Sequence, residues 1–387
     1  MQVLWTPAYT KICLANFLLF CSQYLLLPAL PVVLASGLNL SIPSISFSYI
    51  LMTVGMIIGG PFYAYLVDVF KRKYVNIVSW IVLVIITFIY PIIDTTNELI
   101  MLVLLHGLFF GIANMASVTL GIDLTISQNR NKSNIIYGWI SRLGMITGIA
   151  LGGSFYFMED FTYIKYTSIV LSCLGIMLVL STPIAFRAPI GLKLFSRDRF
   201  FMPRGFLPMM NLIILAVIPG TLFPLFHIDV QSILIYDLLI PYFMVALLGF
   251  IISIFIPVWL KNKESISYLV LLGAGAIFMS FILLVIDVNP LTQLISSLLM
   301  GIGLGLITPQ LLKLFIRLSS HCERGSANMT HFLGWEMGIS FGCFITSRQS
   351  FIQSVSSVFY LDLSLILIFI VYFFVVTFPF YQRQRLR

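Results

Sequence analysis

Leu143-Gly144-Met145-Ile146-Thr147-Gly148-Ile149-Ala150-Leu151-Gly152 shares its frame with a second stretch, Leu333-Gly334-Trp335-Glu336-Met337-Gly338-Ile339-Ser340-Phe341-Gly342. Each lies inside an apolar run. Glycines four apart share a helix face and let a second helix approach closely. Two further agreements lie at nearly the same separation. Gly107-x-x-x-Gly111 recurs as Gly301-x-x-x-Gly305, and Asn16 with Pro28 is matched by Asn211 with Pro224. One small-x-x-x-small pattern is common wherever membrane helices pack. Three agreements in one order mark an internal duplication of six helices.

The surrounding composition supplies the solvent. Hydrophobic residues make up 60% of 387, charged residues only 9%, and the mean hydropathy is +1.05. A bilayer-spanning helix needs roughly 20 apolar residues, and runs of that length predict spans over 12–35, 46–67, 75–93, 99–120, 135–157 and 166–186. The second set is 207–226, 233–260, 267–286, 291–318, 327–346 and 356–380. The expected fold is therefore an all-α polytopic membrane protein, twelve helices in two pseudo-symmetric six-helix bundles. Residues 1–186 form the first bundle, 187–206 a basic linker, and 207–387 the second.

Charge sets the orientation. Lys71/Arg72/Lys73, Arg130/Lys132, Arg187 to Arg204, Lys261/Lys263, Lys313/Arg317/Arg324 and Arg383/Arg385/Arg387 occupy every second gap. The alternate gaps hold Asp94/Glu98, Glu159/Asp160, Asp229 and Asp287, with Lys165 and Arg348 as exceptions. Short basic loops stay on the cytoplasmic side, so both termini and the linker are expected there. The formal charge of +8 is read as topogenic charge facing anionic headgroups, not as a nucleic-acid signal. The five cysteines, Cys13, Cys21, Cys173, Cys322 and Cys343, are odd in number and lack CxxC or metal-ligand spacing, so neither a disulfide framework nor a metal site is expected. The first run, Ile12 to Ala35 with Pro28 and Pro31, exceeds a signal-peptide core and is read as a retained helix.

Ala64-Tyr65-Leu66-Val67-Asp68-Val69-Phe70-Lys71-Arg72-Lys73 resembles the loop motif of the major facilitator superfamily, G-x-x-x-D-R-x-G-R-K. Asp68, Arg72 and Lys73 match, whereas Ala64, Val69 and Lys71 depart. Gly144-x-x-x-Gly148-Ile149-x-x-Gly152-Gly153 resembles the antiporter motif of the same superfamily, with Ile149 in place of its Pro. Leu99-x-x-x-Val103-x-x-His106-Gly107 is similar to a fourth-helix motif whose Arg is replaced by Val103. That Arg is tied to proton coupling in the family, so coupling here is expected to use other residues. Gly301 to Pro309 and Arg324 to Thr330 look like the bacterial exporter-like branch.

The resemblance implies a major facilitator fold in a bacterial cytoplasmic membrane. It also implies a cytoplasmic gate in which Asp68, Arg72 and Lys73 act with Asp123 and Arg324, and a substrate cavity lined by helices one, four, seven and ten. Asn16, Gln23, His106, Asn114 and Asn211 are the candidates for that lining. Each taken singly is equally a helix-to-helix hydrogen bond. Asp237 is placed near the outer face.

Arg142 and Glu336 carry the most weight. Each lies about ten residues into its helix, roughly 15 Å at 1.5 Å per residue, near the middle of the membrane. An ionised group there costs about 2.5–3.5 kcal/mol or more unless it faces protein or water. Glu336 can cycle between charged and neutral forms, with burial and a nearby cation setting the balance. Arg142 keeps its charge and suits charge compensation or an anionic group of a substrate. The alternative is a static pair that only fixes packing.

No Walker loop, HExxH or nucleotide-binding glycine motif occurs, so no cofactor is expected and transport runs on an ion gradient. The reading is a monomeric secondary transporter, in contact with lipid, exporting an amphipathic or drug-like small molecule against inward proton flow. A proton-coupled nutrient uptake symporter is the rival of the same class. A polytopic lipid- or glycan-modifying enzyme is the rival of another, and its need for large loops argues against it.

Overall fold

The computed structural model describes residues 4–28, 42–126, 128–156, 161–184, 194, 200–225, 234–235, 240–260, 265–320, 323–348 and 354–385. Pro31, Glu159, Asp160, Arg187, Asp229, Asp237, Lys261, Lys263, Cys322 and Arg387 lie outside the described residues, with most of 187–206.

Among the described residues, twelve helices correspond one to one with the expected spans. They are α1 (Pro7–Tyr24), α2 (Ile42–Val69), α3 (Arg72–Ile89), α4 (Thr96–Asp123), α5 (Arg130–Tyr156), α6 (Phe161–Leu180), α7 (Phe206–Leu222), α8 (Tyr242–Ile252, continued by Phe255–Trp259), α9 (Ile266–Ile286), α10 (Pro290–Leu318), α11 (Arg324–Ser347) and α12 (Val355–Tyr372). A π-type turn over Phe373–Thr377 carries α12 on into Phe378–Arg385. Among the described residues, nine helical segments are long and apolar enough to cross a membrane, and α2 contributes the shorter apolar stretch Phe47–Tyr63.

Local chemistry sets several of the ends. Thr6 accepts the Tyr9 amide ahead of Pro7, which explains why α1 starts before the expected residue 12. Asn289 and Thr292 form a reciprocal capping box at the start of α10, with Pro290 in the first turn. The eighth span, read as 233–260, is too long at its start. Its helix begins only after Pro241, and Leu234–Ile235 pairs antiparallel with Ile240–Pro241 instead. Proline disfavours helical backbone in the residue before it, so an apolar run interrupted there starts its helix on the far side.

The duplication is visible in the packing. In the first six helices, α1 packs on α5 and α6, α2 on α4, and α3 on α4 and α6. Six helices later the same pairs recur: α7 on α11 and α12, α8 on α10, and α9 on α10 and α12. The bundles meet through α2 on α11 and its counterpart, α8 on α5. Repeat glycines make the closest contacts. A Cβ at Gly107 would collide with the Met52 carbonyl, and one at Gly301 with the Ala246 carbonyl. Gly144 and Gly148 likewise press α5 onto backbone oxygens of α1, and Gly152 onto that of Leu25 just past its end, with Gly153 buried beside them. Outward faces carry apolar side chains, such as Val78, Ile81 and Ile85 on α3 and Leu271, Met279 and Ile286 on α9. Such surface is unfavourable in water and at home against lipid chains.

Candidate functional site

The seam between the bundles is closed at its centre by rings. Phe20 of α1, Phe110 of α4 and Phe332 of α11 pack edge to face at centroid separations of 5.4, 5.5 and 6.0 Å. Edge-to-face pairs of this kind contribute beyond the area they bury. Arg142 lies against the ring cluster, its guanidinium 5.2 Å from the Phe20 ring and 4.9 Å from the Trp335 ring. Stacking on aromatic faces partly offsets the desolvation of a cation.

Glu336 stands beside it. The Tyr24 hydroxyl of α1 donates to Glu336 Oε1 at 2.5 Å, and Arg142 Nη1 of α5 is 3.7 Å from the same oxygen. Both charged side chains are almost wholly buried, 2% and 8% exposed. At 3.7 Å the ion pair exceeds hydrogen-bond range, so attraction acts without a shared hydrogen. Arg142 makes a contact of 3.4 Å from Nη1 to the Met145 sulfur, and its Nε has no acceptor. A buried guanidinium this poorly satisfied is costly.

Towards the end of the bundle away from Lys71–Lys73, α2 is tied to α11. Ser340 donates to the Tyr49 carbonyl and lies 2.6 Å from the Thr53 hydroxyl. Between this tie and Glu336 is a cavity of about 20 Å³ bordered by Gln23, Tyr24, Thr53, Glu336 and Ser340. That is room for about one water. This structure is closed around Glu336.

The other sequence candidates fall into three groups. Gln23 borders the cavity, but its carbonyl oxygen is held at 2.8 Å by His106 Nε2, whose Nδ1 is 2.7 Å from the Tyr90 hydroxyl. Asn114 of α4 contacts the Met329 sulfur of α11 at 3.8 Å, across the seam. Asn16 donates to Ser141 at 2.6 Å inside the first bundle. Asn211 donates to the Phe369 carbonyl and accepts from Thr377 inside the second. The last two tie helices within a bundle.

At the basic end Arg72 is the centre. Its Nη1 lies 2.6 Å from both Asp123 oxygens and its Nη2 2.8 Å from Asp68, joining α2, α3 and α4. Lys73 donates to the carbonyls of Leu180 and Thr182 at the end of α6. Arg324, expected to join the gate, makes no ion pair among the described residues. Burial, and after it the like charge of Arg130, lowers its pKa.

Sequence reading missed Tyr24, the ring cluster and the Thr53–Ser340 tie. Nothing marks one tyrosine among 17 when its partner lies 312 residues away. It also passed over Asp362, an acid inside the apolar run of α12, which a search for charges within runs would find.

A family model described as Major Facilitator Superfamily matches residues 12–343. Among solved structures, the human organic anion transporter MFSD10 (TETRAN) superimposes with a TM-score of 0.71 at 13% identity, covering 95% of this chain and 98% of that one. A point mutant of the nucleoside transporter NupG superimposes at 0.63 with 15% identity over 96% and 98%. At such identities the likeness shows the fold. No curated protein sequence matches.

Proposed function

The chain belongs to the major facilitator superfamily, and on that premise we propose that this secondary transporter exports a small amphipathic compound in exchange for protons, with Glu336 carrying the proton. It is a transporter and not an enzyme. The observation that carries the reading is the cluster Tyr24–Glu336–Arg142, in which one carboxyl of the second bundle meets two groups of the first. Its charge is therefore felt across the seam that alternating access must open.

Charged Glu336 attracts Arg142 by on the order of 4 kcal/mol at 3.7 Å and an effective dielectric of about 20. Burial of both ions costs a comparable amount, so the closed seam is finely balanced. A proton on Glu336 removes the attraction, leaves Arg142 uncompensated and favours opening to water. A cationic or neutral amphipathic compound entering beside the ring cluster competes with that proton, which is the logic of exchange. Residues 1–186 and 207–387 move as the two bodies, joined through 187–206 on the cytoplasmic side with both termini. Transport into inverted vesicles driven by an imposed proton gradient tests the direction. Accumulation that needs acidic lumen supports export by exchange, and accumulation that needs acidic exterior supports uptake.

A second reading follows from the unpartnered Nε of Arg142. An anionic group of the cargo would take that position most readily when Glu336 is neutral, so proton and anion would travel together. The human neighbour is described as an organic anion transporter, but Arg142 is what supports this reading. The charge of the cargo thus decides the sense of coupling. Binding that weakens on acidification marks exchange, and binding that strengthens marks symport.

A further inference from the structure

Asp362 lies about 10 Å along α12 from Val355, and none of it is exposed. Thr221 Oγ1, near the end of α7, lies 2.9 Å from each of its carboxyl oxygens. The same Thr221 oxygen is 2.6 Å from the Ile218 carbonyl. A threonine hydroxyl has one proton, so it can serve only one of these oxygens at a time. Thr221 can therefore give Asp362 at most one hydrogen, and only when it does not give it to Ile218, too little to satisfy both oxygens of a buried carboxylate.

The surroundings agree. Among the described residues no cation forms an ion pair with Asp362. A carboxylate left so in an apolar interior takes up a proton instead of remaining charged. Of the helices around this site, α8 presents Tyr242, whose hydroxyl is 2.8 Å from Ser296 and 3.3 Å from Ser280 of α10 and α9. The α7 face adds Asn211, already committed to Phe369 and Thr377.

We propose that Asp362 and Thr221 form a second proton-binding site, in the second bundle and separate from Glu336, that is occupied in this closed state. The site stands whether or not Glu336 carries the coupling proton. Its place gives the proton a structural effect. A Cβ at Gly220 would collide with the Ile339 carbonyl of α11, and one at Gly342 would meet the Val217 carbonyl and the Thr221 amide. Thr221 thus sits where α7 and α11 touch backbone to backbone, at Gly342, six residues or about 9 Å along α11 from Glu336. Loss of the proton to water leaves a buried carboxylate with at most the one hydrogen of Thr221, which must leave the Ile218 carbonyl to reach it. The seam between α7 and α12 must then admit water or turn, and α11 is packed on the part that moves.

Infrared spectroscopy of the lipid-reconstituted Glu336→Gln protein at neutral pH tests this. A protonated-carboxyl stretch is expected, sensitive to deuteration, which disappears when Asp362→Asn is added. Thr221→Val, which removes the hydroxyl partner, should move that band to higher frequency. Absence of the band in Glu336→Gln, or a band unchanged by Asp362→Asn, overturns the site. Thermal unfolding gives a second readout. A group kept protonated in the fold loses its contribution as pH rises through its folded pKa, so the parent protein should lose Tm on alkalinisation and Asp362→Asn should lose less. Parallel alkaline losses in the two proteins would also overturn it.

Discussion

The Tyr24 hydroxyl of the first bundle donates a 2.5 Å hydrogen bond to Glu336 of the second. This bond and the longer approach of Arg142 are the polar connections that a change in Glu336 charge acts on directly. A hydrogen bond to a charged group contributes about 1.5–3 kcal/mol. Tyr24→Phe should therefore reduce the closed population by roughly 10- to 100-fold relative to open forms. Distances between spin labels on the two bundles report it, and an unchanged distribution would make the bond incidental.

Arg142→Ala leaves Glu336 buried without its counter-charge. Removing one partner of a buried pair costs about 3–5 kcal/mol. The single variant should unfold at markedly lower temperature in detergent, and adding Glu336→Gln should restore most of the loss. Additive losses in the double variant would show that the two groups are not coupled.

The glycine contacts predict a symmetric response. Gly107→Val and Gly301→Val each place a side chain against a carbonyl of the paired helix. Overpacking of this kind costs about 1–3 kcal/mol, so both should lower Tm. Gly275→Ala in α9 meets nothing within 4 Å and should be neutral or slightly stabilising.

At the basic end, Asp123 holds Arg72 through both oxygens and Asp68 through one. These side chains are 18–31% exposed, so each interaction contributes at most about 1 kcal/mol to stability. Asp68→Asn and Asp123→Asn should both fold with near-normal Tm, with the larger change in Asp123→Asn. A transport defect in either, at unchanged Tm, identifies a conformational role for that carboxylate.

The fold was legible because a bilayer imposes long apolar runs, and because Gly107/Gly301 and Gly148/Gly338 stand where backbones touch. The start of α8 was not, since residues 233–241 are apolar except for Asp237 and the break is marked by Pro241. Within the site, Arg142 and Glu336 were conspicuous as charges deep in apolar runs. Their partners were not, because Tyr24 and Trp335 are ordinary aromatic residues until the fold brings them together. Asn16 and Asn211 were equally suited to a cavity or a helix contact, and their hydrogen bonds place them in helix contacts.

The charge of Glu336 is proposed to control the seam between the bundles. Spin labels at Tyr74→Cys and Trp259→Cys, exposed positions near the basic ends of α3 and α8, on a background without native cysteines, measure this without knowledge of the cargo. The distance distribution of the parent protein should shift with pH, and Glu336→Gln should hold one distribution at every pH. If Glu336→Gln follows the same pH dependence as its parent, Glu336 does not control the seam.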